Sequence, residues 1–370
     1  MNAKQFNILA IAAAVSLVTA GIVHSAYDTW SVETVTGEKL FESFDDDASR
    51  VSSLMLRKGK DVFTFKKGDT GGWSITERGG YPADPKKVRE LLVKLVRAEL
   101  VEAKTGDPKR YKLLDLGDPT KEDSGSTLVR MNDSGDKVVG EVVIGKERIS
   151  AFGRGKSGSY VRRPGKDQTW LTNVGLKPSM AVSDWVQPVF FRMALGEMSS
   201  LTLDPPDGDP VKIVTDPAKK ETFKFQAIPE GKKTKSGVDA TVMIKAVETL
   251  EMTDVRKAAD AKVPKDAVTI SADLETTDAM KLRFKVLKVG ENDRWLSIDV
   301  LDDGKKKDVA EKLKADLAGW QFKIADWRSR QMFKTAAEMF EDKPQPKPAP
   351  AAAPKADPSA SNDDATKPKQ

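Results

Sequence analysis

A glycine-rich string, Gly153-Arg154-Gly155-Lys156-Ser157-Gly158, is the segment that comes nearest to a known chemical motif. It satisfies G-x-G-x-x-G, and its Gly-Lys-Ser imitates the end of a phosphate-binding P-loop. Both motifs need a following helix, because the helix N-terminus holds the phosphate. The residues from Ser159 to Arg163 have the pattern of a strand instead, and Ser150 stands where a P-loop needs glycine. We predict a hairpin turn here, with a nucleotide site as the weaker interpretation.

Side chains that could catalyse a reaction or bind a transition metal are scarce. The chain has no cysteine, which excludes disulfides, thiolate metal sites and cysteine nucleophiles. Its single histidine is His24, at the end of an apolar N-terminal stretch. The rest of the chain therefore offers neither a Ser-His-Asp triad nor a histidine-based metal site.

Carboxylate groups are the remaining candidates for acid-base or metal chemistry. Asp45-Asp46-Asp47 and Asp302-Asp303 are dense clusters, but neither has the spacing of a calcium-binding loop. A glycosidase needs two carboxyl groups at a set separation, which a sequence does not supply, so a hydrolase stays open as an alternative. We predict that the protein is not an enzyme and has no catalytic, cofactor-binding or metal-binding residues. Partner-binding residues stay unassigned.

Tryptophan is the last candidate for a ligand-binding residue, because an indole ring can stack on a sugar. Trp170 and Trp295 each precede leucine, whereas Trp185 and Trp327 each follow aspartate. The pairs recur in the same order in the two halves of the chain. Recurrence of this kind is typical of framework residues, so we predict that these four side chains lie in the core.

A second recurrence points to an internal duplication. Ser52-Ser53-Leu54-Met55-Leu56 returns as Ser199-Ser200-Leu201-Thr202-Leu203. A helical stretch, a run of short strands, the Trp-Leu pair and the Asp-Trp pair follow each copy. We predict two related modules in tandem, over residues 48–198 and 199–342.

The helices and strands of the first module are predicted from hydrophobic periodicity and helix-capping residues. Strands of a hairpin flank Lys58-Gly59-Lys60, and Trp73-Ser74-Ile75 forms a further strand. Asp84 caps a helix that should end near Ala103, with apolar residues on one face. Short strands follow as far as Thr172, and then a helical stretch over 183–193.

The second module repeats the plan. Helices are expected over 238–250 and 308–317, the second ending at Gly319, and a last helix runs from Asp326 to Phe340. Strands precede and separate them. Successive short strands joined by turns predict mostly antiparallel sheets with packed helices, which is the α+β class.

The two ends of the chain differ from the modules. Lys4 precedes an apolar run over residues 8–23, which is typical of an export signal. We predict an uncleaved signal anchor over 1–30, with cleavage after Ser25 as the alternative. Residues 343–370 are rich in Pro, Ala and Lys, which predicts a disordered tail. The chain would then have one span in the inner membrane and its bulk in the periplasm.

Charge gives no sign of a nucleic-acid partner. The formal net charge is +5, from 61 Lys and Arg against 56 Asp and Glu. A nucleic-acid footprint needs clustered basic residues, whereas these are interspersed with acidic ones. The densest basic runs, Lys232-Lys233 and Lys305-Lys306-Lys307, are interpreted as solvated loops.

A family resemblance covers most of the chain from Ser52 to Phe340. It is carried by patterns of tryptophan, glycine and apolar residues, which are Trp73-Ser74-Ile75, Tyr81-Pro82-Ala83-Asp84, Val88, Leu91-Leu92, Leu95, Tyr111, Leu114, Ile144-Gly145-Lys146, Tyr160-Val161-Arg162, Trp170-Leu171, the stretch from Asp254 to Asp260, and Trp320-Gln321-Phe322. These residues resemble the domain-of-unknown-function family 4340. In the second module, Phe223 or Phe225 stands where the first has Trp73.

The resemblance implies a single-anchor envelope protein, often encoded beside gliding-type ABC transporter components. We therefore expect a non-enzymatic accessory subunit that contacts a permease and ATPase complex, without a cofactor. The alternative is a cell-envelope polysaccharide-binding module or hydrolase.

Overall fold

The computed structural model of the chain describes residues 37–42, 44, 48–219 and 221–343, together with positions 16, 18 and 19. Most of the predicted anchor, Asp45–47 and the tail beyond residue 343 lie outside the described residues. Among the described residues, no helix combines the length and the apolar character needed to cross a membrane.

The first sheet contains ten antiparallel strands. Their order across the sheet is β1-β6-β10-β9-β8-β7-β2-β3-β4-β5. The bounds are β1 Glu38–Lys39, β2 Ser53–Lys58, β3 Asp61–Lys67, β4 Trp73–Ile75, β5 Tyr81–Ala83, β6 Glu99–Ala103, β7 Thr127–Asn132, β8 Val138–Arg148, β9 Gly158–Arg162 and β10 Thr169–Thr172.

The second sheet contains nine antiparallel strands in the order β11-β16-β20-β19-β18-β17-β12-β13-β14. The remaining two strands, β15 and β21, pair with each other. The bounds are β11 Val189–Arg192, β12 Met198–Asp204, β13 Val211–Thr215, β14 Phe223–Phe225, β15 Lys232–Thr234, β16 Thr249–Lys257, β17 Val268–Thr276, β18 Lys281–Val289, β19 Asp293–Asp302, β20 Trp320–Ile324 and β21 Phe340–Asp342.

The two sheets follow the same plan. Numbered from its own first strand, each sheet has the order first, sixth, tenth, ninth, eighth, seventh, second, third, fourth. The fifth strand is the edge strand β5 in the first half, whereas in the second half it is β15, which lies outside the sheet. The register agrees as well. Leu54 in β2 lies opposite Phe65 in β3, and Leu201 in β12 lies opposite Ile213 in β13. The repeated Ser-Ser-Leu string thus occupies the same strand of each sheet.

Helices connect the strands and cover the sheets, as expected for an α+β protein. Their bounds are α1 Pro85–Val96, α2 Ala240–Glu248, α3 Lys307–Leu317, α4 Asp326–Met332 and α5 Ala336–Met339. The α+β class predicted from the sequence is confirmed.

Helix α1 begins as its sequence dictates. The Asp84 carboxylate accepts a hydrogen bond from the Lys86 backbone N–H at 2.9 Å, and Pro85 occupies the first turn, where its missing N–H costs nothing. Five apolar side chains of one face are buried, namely Val88, Leu91, Leu92, Leu95 and Val96. This face belongs to the hydrophobic core cluster that also contains Leu54 and Phe65 of the first sheet.

Three helix predictions differ from the structure. Helix α1 ends at Val96 because Leu100 and its neighbours form β6, which pairs with both β1 and β10. The stretch over 183–193 contains a short 3₁₀ helix and then β11, since Pro188 lacks the N–H that a continuing helix needs. The last predicted helix is divided into α4 and α5 and ends in β21.

The hydrophobic core runs without interruption through both halves of the chain. One cluster of buried side chains contains Leu54 and Phe65 of the first sheet together with Leu201 and Phe284 of the second. A small second cluster, around Tyr111, lies under the 3₁₀ helix Pro108–Leu114. The two sheets therefore share one hydrophobic core, and particular residues form the contact between them.

Candidate functional site

The glycine-rich string lies in the turn between β8 and β9, so a strand follows it, not a helix. Its backbone N–H groups are used within the turn, because Lys156 donates to the Gly153 carbonyl at 3.1 Å and Phe152 donates to the Lys156 carbonyl at 3.2 Å. A phosphate cradle needs such N–H groups to be free and aligned with a helix. The predicted hairpin turn is confirmed.

The carboxylates at 302 and 303 stabilise local structure. Asp302 accepts from the Gly304 backbone N–H at 3.0 Å, and Asp303 pairs with Lys314 of α3 at 2.6 Å. They hold the turn from β19 into α3. Within the described residues, no three His, Asp or Glu side chains are grouped so that they could bind a metal ion.

The four tryptophans do not share one environment. Trp185 and Trp295 are buried, and Trp170 is half-buried against the core. Trp327 is 53% exposed, so its predicted core position is wrong. It belongs to α4, whose buried face carries Ser329 and Met332, and the helical repeat turns Trp327 away from that face.

The two Trp-Leu pairs also occupy different strands. Trp170 lies in β10, the third strand across the first sheet, whereas Trp295 lies in β19, the fourth strand across the second. The third strand across the second sheet is β20, which begins at Trp320. The predicted correspondence between Trp170 and Trp295 is therefore wrong, because their strands occupy different places in the two sheets.

The basic run at 232 forms a strand, contrary to its interpretation as a solvated loop. Lys232 of β15 pairs with Asp342 of β21 at 2.7 Å, and Lys233 pairs with Glu341 at 3.0 Å. Opposite charges across paired strands favour this register. The last described strand thus closes the second half of the molecule.

The line of contact between the two sheets contains a bidentate ion pair. Arg78, in the 3₁₀ helix Thr76–Arg78 of the first half, reaches Asp254 of β16. Its Nε lies 2.6 Å from Oδ1, and its Nη2 lies 3.2 Å from Oδ2. The side chains are 25% and 27% exposed, so solvent screens this pair less than a surface pair. The Arg78 guanidinium also lies over the Phe63 ring, 5.2 Å from its centroid.

Beside this ion pair, an aromatic contact crosses between the sheets. Tyr81 of β5 meets Trp320 of β20 edge to face, with ring centroids 5.0 Å apart, and Phe322 lies 6.1 Å away. Burial, together with the nearby Asp316 carboxylate, raises the pKa of Tyr81 to about 12. The phenol therefore stays neutral, and its ring serves as a packing surface.

Hydrogen bonds complete the contact. The Asp84 backbone N–H donates to the Trp185 carbonyl at 2.7 Å, and the Gln187 amide donates to the Asp84 carboxylate. The Asp84 side chain thus caps α1 and also binds the segment that leads into the second sheet. We call Arg78, Tyr81, Asp84, Gln187 and Asp254 the joint. The sequence analysis missed Arg78 and Asp254 as a pair, since nothing in their spacing signals it.

The fold and the joint define an α+β protein of two antiparallel sheets that share one core and one polar and aromatic contact. Its sequence matches the family "Domain of unknown function (DUF4340)" over residues 73–268, more than half of the chain. The chain belongs to this family, as its sequence predicts. The match runs from β4 to the start of β17 and includes the whole joint. No curated protein and no solved structure matches the chain.

Proposed function

We propose that the protein is a non-enzymatic, membrane-anchored extracytoplasmic protein that acts as an accessory subunit of a gliding-type ABC transport system. It would be anchored in the inner membrane by its N-terminal segment and would work through protein contacts. The single observation that carries this proposal is the joint, because it fixes two sheets relative to each other across a partly polar contact. Such an arrangement suits a scaffold that holds or repositions partners.

We also propose that the two halves arose by duplication. The matching strand order and the matching register of the Ser-Ser-Leu strands support this proposal. Phe65 lies opposite Ile75 in the first sheet, and Ile213 lies opposite Phe225 in the second. Trp73 precedes Ile75 by two residues, and Phe223 precedes Phe225 by two residues, so we align Phe223 of β14 with Trp73 of β4. A duplicated scaffold offers two similar faces and so suits a binding role better than a single catalytic cleft.

Affinity purification of the full-length protein from native membranes, with cross-linking and mass spectrometry, tests the transport proposal. We expect stoichiometric permease and ATPase subunits in mild detergent, and cross-links that map to one or both halves. A membrane protein with a similar anchor serves as the control for non-specific recovery. Recovery of the protein alone, or of the same subunits with the control, would contradict the proposal.

One observation favours the alternative of a polysaccharide-binding module. Trp327 is 53% exposed, and the Arg328 guanidinium lies over its ring at 4.4 Å from the centroid. An exposed indole can stack on a sugar ring. If this alternative holds, Trp327→Ala should abolish retention on cell-wall glycans in affinity electrophoresis, while Trp327→Phe keeps part of it. Equal mobility of wild type and Trp327→Ala with every glycan would exclude this role for Trp327.

A further inference from the structure

One end of the first sheet combines exposed apolar side chains with Lys and Arg side chains that form no ion pair with other described residues. Ile149, in the turn after β8, is 79% exposed, and Leu113, at the end of the 3₁₀ helix Pro108–Leu114, is 70% exposed. Lys146 connects the two segments, since its Nζ donates to the Leu113 carbonyl at 3.1 Å. Large apolar side chains that are exposed on contacting segments are typical of interaction surfaces.

Close packing holds the two segments together. Gly145 of β8 lies against the carbonyl groups of Leu114 and Asp115, so that a Cβ at position 145 would collide with them. Beside this contact is a groove of about 360 Å³, whose lining includes Ile149, Lys146 and Lys177. The surface is therefore backed by a strand and a packed helix end, which suits a preformed docking site.

Cations outnumber carboxylates around this surface. Glu122 and Glu102 are within reach of Lys60 and Arg148, and these pairs roughly cancel. Around this surface, the exposed cations that form no ion pair within the described residues include Lys58, Lys109, Lys112, Lys121, Lys146, Arg154, Lys156 and Lys177. The carboxylates around it that form no ion pair with another described residue include Asp61, Asp115, Asp118, Asp123 and Glu147. We call this surface, which includes Leu113 and Ile149, the basic end.

The direction of β1 shows where the basic end lies relative to the start of the first sheet. Lys39 lies opposite Glu99 and Glu38 lies opposite Leu100, so the chain before β1 enters from the side of Ala103. The turn after β8 lies at the other end of the sheet, since Arg148 pairs with Gly158 of β9. The start of β1 and the basic end therefore lie at opposite ends of the first sheet.

We propose that the basic end docks a protein surface that is apolar at its centre and acidic around it. This proposal rests on the proposed function, and it assigns the docking surface to an extracytoplasmic part of the permease. Apolar contact with Leu113 and Ile149 supplies the affinity, and the surrounding cations orient the partner and speed its association.

Site-specific photo-cross-linking in native membranes tests the proposal with the full-length protein. Benzoylphenylalanine replaces Ile149, Leu113 or, as a control, Val138, which is 47% exposed at the opposite end of the same strand. We expect cross-links to the permease from positions 149 and 113 and none from 138. Cross-links from 149 and 113 to lipid alone would overturn the proposal in favour of a membrane surface.

A charge substitution gives a second measurement. We expect the double variant Ile149→Glu with Leu113→Glu to lower permease recovery at least tenfold, while Val138→Glu leaves it unchanged. Both changes are at exposed positions, and equal unfolding temperatures would show that the fold is kept. Equal recovery by the double variant and wild type would overturn the docking surface and leave the accessory role intact. Absence of the permease from the wild-type purification would overturn both proposals.

Discussion

Two tryptophans that each follow an aspartate have opposite surroundings, and this difference has a measurable consequence. Trp185 is 5% exposed, its ring centroid lies 4.9 Å from that of Phe65, and its Nε1 donates to the Ser179 carbonyl at 2.9 Å. We predict that Trp185→Ala lowers the free energy of unfolding by about 3 to 5 kcal/mol, because it leaves a large cavity. Trp327→Ala should change it by about 0.5 kcal/mol or less, as is usual at the surface. Urea titrations measure both, and equal losses would contradict the structure.

Tyr81 gives a prediction about pH. Its pKa is about 12 in the folded protein, against 10.0 for an unperturbed phenol. The folded state therefore holds the proton more tightly, and the stability linked to Tyr81 is complete below pH 10 and is lost as the pH rises from 10 to 12. We expect spectrophotometric titration to show one phenol near pH 12 that is missing in Tyr81→Phe. If the phenol that is lost in the variant titrates near pH 10 instead, the Tyr81 ring is not buried at the joint.

At the scale of elements, two helices offer a matched comparison of caps. Asp84 caps α1 and also accepts a hydrogen bond from Gln187, whereas Asp239 caps α2 by accepting from Thr241 and Val242 and has no role in the joint. We predict that Asp239→Ala costs about 1 kcal/mol of unfolding free energy. Asp84→Ala should cost about 2 kcal/mol, because it also leaves the Gln187 amide without its acceptor. Thermal or urea unfolding of both variants measures the difference, which is absent if the Gln187 contact contributes nothing.

Local patterns predict most of the strands and two helices of this fold. Trp73–Ile75 has the predicted bounds, and the short strands of the first half end at Thr172 as predicted, because alternating side chains and flanking turns specify a strand locally. The positive φ of 79° at Gly319 agrees with its predicted role after α3, because glycine adopts that conformation without strain.

The failures arise where distant partners decide the structure. Residues 99–103 continue an apolar pattern that suits a helix, but β1 and β10 flank them and supply backbone hydrogen bonds on both sides. Pairing of this kind depends on residues far along the chain, so propensity is overridden. For the same reason the sequence did not reveal Arg78 and Asp254 as partners, since 176 positions separate them.

At the scale of the whole molecule, the joint combines contacts of two kinds. The core cluster continues from one sheet to the other, which favours cooperative unfolding. The Arg78 and Asp254 ion pair and the Asp84 and Gln187 hydrogen bond make the same contact partly polar. Added salt weakens a polar contact, so the strength of the joint should depend on ionic strength more than that of the shared apolar core.

A double-mutant cycle on Arg78 and Asp254 tests how strongly the joint couples the two halves. We expect a coupling free energy of about 1 to 2 kcal/mol, above that of an exposed pair, because both side chains are mostly buried. Arg283 and Asp273 are the matched control, since their bidentate contact has distances of 2.7 Å but the side chains are 41% exposed and lie in one sheet. The control should couple more weakly, as is usual for exposed pairs, because solvent screens it. Added salt should weaken the control more, because the joint is better shielded from solvent. If the two cycles give equal coupling and equal salt dependence, the joint is an ordinary surface contact and the shared core alone holds the two sheets together.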